Sequence, residues 1–187
     1  MTPMSKWTAQ QLEREWERRA STYVSTLMTE PAPEAVDQLA ALGDHDADHA
    51  RWELRYLRRA IGLLIAGRDA LDDRTASLVG QALAKAIEHD PSAAPAMRTV
   101  SAAQFNARLR IYRDLMGQRG AARTPVGRIG EALTGFAGGG PGSDQGAWSS
   151  VWVSTELDRC NEALRQEFGT VDLPPDVAPS AMQAPRR

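Results

Sequence analysis

The stretch Gly43–Arg59, GDHDADHARWELRYLRR, holds two of the chain's three histidines, three aspartates and four arginines. His45 and His49 are four residues apart, the spacing that sets two metal ligands one turn apart on a helix, and Glu53 continues that face. This defines a candidate divalent transition-metal centre of His45, His49 and Glu53, and with it a metal binder or metal-dependent hydrolase. Asp46 stands where helical metalloproteases carry a glutamate general base, and its shorter side chain reaches a metal-bound water less well. The competing reading is structural. Asp44, Asp46 and Asp48 are what the positive end of a helix favours, and one of them caps it.

The arginines raise a second chemistry. Arg51, Arg55 and Arg58 or Arg59 recur at helical spacing beside an apolar face carrying Trp52 and Tyr56. With a second basic helix around Arg108, Arg110 and Arg113 they could track a phosphate backbone. The nucleic-acid candidates are Arg51, Arg55, Arg108 and Arg113. Residues 98–128 carry a net charge of +6, against −5 over residues 1–50 and −4 over residues 129–187. The whole chain is at −2 with a pI of about 5.9, unlike a typical nucleic-acid module. Nucleic acid is therefore not the favoured partner, and the arginines are expected to meet Glu13, Glu15 and Glu17 of the first helix.

Other chemistries find less support. A single cysteine, Cys160, excludes an intrachain disulfide framework and a zinc site of several cysteines. On the apolar side of its helix it is expected to pack rather than react. There is no Gly-x-Ser-x-Gly elbow and no Gly-Lys-Ser/Thr phosphate loop. His89-Asp90 matches the dipeptide of the all-α HD phosphohydrolases, but there it lies inside an apolar helix, and here it precedes Pro91. No family is assigned.

The elements are helical by period. Thr8-x-x-Gln11 and Ser101-x-x-Gln104 have capping-box spacing. Leu12, Trp16, Ala20, Tyr23, Val24 and Leu27 form one apolar face; Val79, Leu83 and Ile87 form another. A third helix is expected from Asp44 or Asp46 to Ala66, with Gly67 as its C-cap. Val126, Ile129, Leu133 and Phe136 share a face, but Gly127, Gly130 and Gly135 each weaken that helix by roughly 1 kcal/mol. No window alternates over strand length.

The expected fold is all-α: a bundle of five to six amphipathic helices, a glycine-rich linker and a disordered proline-rich C-terminal tail. The divisions are 1–137 for the bundle core, 138–147 for the linker, 148–168 for a C-terminal helix and 169–187 for the tail. With no secretory h-region and no run long enough to span a bilayer, a cytoplasmic protein without membrane insertion is expected. The favoured function is protein–protein interaction, as an accessory, scaffold or structural subunit, with a protein partner or by self-association. It leans away from an enzyme. The expected contacts are Trp148, Trp152, Val126, Ile129 and Phe136, on a tethered helix that docks either in cis or on a partner.

Overall fold

The computed structural model describes residues 8–69, 73–118, 122–140 and 145–169. The tail beyond Gly169 and the middle of the expected linker, residues 141–144, lie outside them. Seven α-helices are present among the described residues: α1 Ala9–Leu27, α2 Pro33–Leu42, α3 Ala47–Asp69, α4 Asp73–Glu88, α5 Arg98–Gly117, α6 Pro125–Phe136 and α7 Gln145–Phe168. One 3₁₀ turn, Pro95–Met97, leads into α5. Among the described residues the fold is all-α, with seven helices against the five to six expected. No described helix is long and apolar enough to cross a membrane.

The local signals act as their chemistry requires at several ends. Thr8 and Gln11 form the reciprocal capping box of α1, with the Gln11 amide on Thr8 Oγ1 at 3.2 Å and the Thr8 amide on Gln11 Oε1 at 2.9 Å. Thr124 caps α6 by accepting from the Gly127 amide at 3.2 Å, with Pro125 at the first helical position. Asp46 opens α3, its carboxylate accepting the amides of Asp48 at 2.9 Å and His49 at 3.0 Å.

Other expected ends move. Gly67 lies within α3, which runs on to Asp69. Ser101 is not a cap: α5 begins at Arg98 and buries Ser101 against α3. α7 starts at Gln145, before Trp148, and the first linker residues are pinned, with the Gly139 amide on Thr134 O at 2.9 Å.

α3 is the central element and touches each of the other six α-helices. Around it α1 packs on α4 and α7, and α6 and α7 form a close pair. The core runs through Tyr23, Leu27, Leu54, Leu57, Ile61, Ile65, Leu83, Tyr112, Ile129 and Val153. α7 docks in cis, on α6, α3 and α1, with Trp16 and Phe168 ring centroids 5.6 Å apart.

One glycine of α6 explains how that helix forms. A Cβ on Gly130 would lie 2.8 Å from the Ser150 amide nitrogen, so the missing side chain lets α6 and α7 meet backbone to backbone. Beside it the Thr134 and Ser149 hydroxyls pair at 2.6 Å, both buried. Gly135 has open space. Gly130→Val is expected to destabilise by about 1–3 kcal/mol through overpacking. Gly135→Ala should instead hold or raise stability, by up to about 1 kcal/mol. Urea unfolding midpoints of the two variants check this contrast.

Candidate functional site

Every residue of α3 from Glu53 to Gly62 is buried, including four charged ones. Each charge finds a partner on a different part of the fold. Arg108 of α5 grips Glu53 with both arms, Nε to Oε2 at 2.8 Å and Nη2 to Oε1 at 2.7 Å. Arg55 makes a forked pair with Glu30, in the turn between α1 and α2. Arg58 donates to Glu156 of α7 at 2.6 and 2.9 Å and to Thr29 O at 2.5 Å. Arg59 donates from Nη2 to Asp90 Oδ2 at 2.6 Å, just after α4.

Charges so deep need such partners, because an unpaired ion in an apolar interior is strongly destabilised. Burial pushes the Arg59 guanidinium down, and Asp90 offsets this only in part. Burial also pushes Asp90 up, but Ser92 and Arg59 outweigh it and hold the carboxyl below its usual range. Arg55, Arg58 and Arg59 are thus not part of the solvent-facing stripe the periodicity implied. Nor do they meet the acids of α1: Glu15 binds Arg18 and Arg19 of its own helix, and Glu13 binds Arg74.

Of the expected metal residues, only His49 and Glu53 come together. His45 is not on α3 at all; it sits in the turn before it, exposed, with φ at +63°. His49 is on the first turn, its Nδ1 2.9 Å from Asp44 and its Nε2 3.7 Å from Glu53. Glu53 is already held by Arg108. Among the described residues no three His, Cys, Asp or Glu side chains are grouped as a metal site.

Of the nucleic-acid candidates, Arg55 and Arg108 are committed to internal pairs. Arg51 pairs with Asp48 at the surface, and exposed Arg113 stands beside Asp114 at 3.6 Å. Arg128 is also used internally, donating to Leu115 O at 2.6 Å and Gln118 O at 3.1 Å at the open end of α5.

The expected interaction residues face inward. Ile129 is fully buried, so no partner reaches it in this packing. Val126, Phe136, Trp148 and Trp152 are half-buried against the core. Phe136 is covered by Arg108, 3.8 Å from its centroid, and meets Tyr112 edge-on at 5.9 Å.

What lies open is α5. Of five exposed large apolar side chains among the described residues, three, Met97, Val100 and Ile111, stand on or just before this helix. Their spacings of 3 and 11 residues put them along one stripe. Met97 and Val100 form the lip of a groove of about 360 Å³ between α5 and the start of α3, with Trp52, Tyr56, Gln104 and Arg108 behind them. Tyr56 Oη donates there to Gln104 Oε1 at 3.1 Å. On the opposite flank of α5 a second cleft of about 490 Å³ opens toward α4. The sequence carried the signal for the exposed stripe in the 97–100–111 spacing, hidden by the buried Ser101, Phe105 and Tyr112 on the other side. No family model, curated protein or solved structure matches the chain.

Two outcomes follow from this packing. Removing one partner of the Arg58–Glu156 pair, by Glu156→Gln or Arg58→Met, is expected to destabilise by about 3–5 kcal/mol. The double apolar replacement Arg58→Met with Glu156→Leu should recover most of that in urea unfolding. Burial, with Glu156 nearby, pushes the Cys160 thiol up to about 12. Being protonated and enclosed, it should resist a disulfide reagent at pH 8 in the folded chain and react fully in denaturant.

Proposed function

We propose that the chain acts by protein–protein interaction, as a helical accessory or scaffold subunit, through the outer stripe of α5. The observation that carries this reading is the alignment of exposed Met97, Val100 and Ile111 along one helix, beside a groove backed by Trp52. Met97 and Val100 are neighbours one turn apart, and Ile111 follows about 16 Å further along the stripe beyond exposed Gln104; apolar side chains so placed are what a partner covers. A half-sunk tryptophan with an adjacent recess suits an anchoring contact. The polar groups of the groove are tied to one another, Glu53 to Arg108 and Tyr56 to Gln104, which favours a preformed docking surface over a reacting centre. The engagement of Arg55 and Arg108 inside the fold weighs against a phosphate-tracking stripe. The partner segment that fits presents two or three apolar side chains at helical spacing.

The test compares three tagged full-length chains in cell extracts. Met97→Glu with Val100→Glu changes exposed positions and should shift stability by no more than about 0.5 kcal/mol for each. The wild-type chain is expected to retain a saturable partner that this variant loses. Val151→Glu, on the exposed side of α7 and away from the stripe, should retain it. Equal retention by the α5 variant sinks the reading.

A further inference from the structure

We propose that the cleft between α4 and α5 binds a single-chain anionic amphipath, an acyl carboxylate, with the tail along the cleft and the head at Arg98. This site is independent of the interaction stripe, which lies on the other flank of α5. The floor and walls are apolar: Leu63, Leu83, Ile87, Ala102, Phe105 and Leu109. Gly80 and Ala84 of α4 also line it and leave the space that larger side chains would fill. The volume of about 490 Å³ lies within the ~300–1,000 Å³ of small-molecule sites.

Shape argues for a slender occupant. The α4 wall runs from Gly80 to Glu88, roughly 12 Å at the rise of a helix. A docked helix of that length, ~10–12 Å across, occupies roughly 1,000 Å³. It would leave most of itself outside the cleft. An extended hydrocarbon chain lies along it and takes the side facing the cleft out of water over its length.

Charge argues for an anion at one end. Arg98 lines the end of the cleft where α4 stops and α5 starts. It is the one cationic side chain among the lining residues, and a carboxylate head placed beside it gains a charge-assisted hydrogen bond. The Thr99 hydroxyl lines the same end. Glu88 also lines it, exposed and with no hydrogen bond to Arg98, so it opposes an anionic head through the space between them. This gives the proposal opposite signs at two neighbouring positions.

The experiment is calorimetric titration of the full chain with dodecanoate below its micelle concentration. One saturable site is expected. Arg98→Gln should weaken it about tenfold or more, the loss of a charged hydrogen bond. Glu88→Gln should tighten it. Gly80→Leu should abolish it without loss of fold, because a Cβ there meets nothing nearer than Leu63 Cδ1 at 3.9 Å and leucine is the better helix former. Dodecyltrimethylammonium, with the same tail and opposite charge, should not bind. Absence of saturable binding overturns the proposal. So does equal affinity for the ammonium compound, an unchanged affinity in Arg98→Gln, or full binding by Gly80→Leu.

Discussion

The fold is organised by four charges that α3 carries into the interior. A helix surrounded on all sides is normally apolar all round. Here Glu53, Arg55, Arg58 and Arg59 occupy buried positions among Leu54, Leu57, Ala60 and Ile61. Such charges give little net stability over apolar side chains of the same size, since desolvation consumes most of the Coulombic gain. What they provide is selectivity of position. Arg58 is satisfied only where Glu156 and the Thr29 carbonyl converge, and Glu53 only where Arg108 reaches it. Each pair therefore fixes the place of one neighbour: α7, α5, the α1–α2 turn, and the segment after α4. Any other packing of these helices would leave a charge buried and alone, at a penalty of several kcal/mol. Arg59 is the least satisfied of the four, with Nε and Nη1 lacking partners.

This arrangement also explains what could be read in the sequence and what could not. Helices with one wet face announce themselves by period: the buried side of α4 is Val79, Leu83 and Ile87, and that of α1 ends in Tyr23, Val24 and Leu27. The capping box at Thr8 and the Thr124-Pro125 start of α6 are local chemistry and so are legible locally. α3 misleads because periodicity counts arginine as a surface residue. Its partners lie 25 to 98 residues away, at distances no local pattern encodes. Of the acids, Glu13, Glu15 and Glu17 lay on the nearest amphipathic helix and were the natural expectation, yet two of them are consumed by arginines of α1 and α4. The His45–His49 spacing suggested one helical face, but the Asp46 cap starts the helix between them, and His45 is left in a turn with left-handed backbone. A cap two positions earlier, at Asp44, would have put both rings on α3.

α5 differs from the other helices in having two apolar sides. Phe105 and Tyr112 go into the core, while Met97, Val100 and Ile111 point outward. Its inner stripe of Phe105, Leu109, Tyr112 and Met116 is reinforced by specific contacts. These are Arg108 on Glu53 and Phe136, Tyr56 on Ser101 and Gln104, and Tyr112 against Phe136. A groove borders this stripe on each flank, one partly polar toward α3 and one apolar toward α4.

The contrast between α5 and α7 locates the apolar surface left uncovered among the described residues. Tryptophans at the head of a helix behind a glycine linker suggest an element that could dock elsewhere. In the folded chain that apolar area is already committed. Trp148 and Trp152 lie half-buried on the core, Trp152 with Arg58 6.0 Å from its ring centroid. Releasing α7 would break the buried Arg58–Glu156 pair, part the Thr134 and Ser149 hydroxyls, and expose Val153, Cys160 and Leu164. Exposing Val153 and Leu164 alone costs roughly 1.5–3 kcal/mol for each side chain, which a competing partner would have to offset. The stripe of α5 carries no such penalty. Its apolar side chains already face solvent, so covering them is favourable from the first contact.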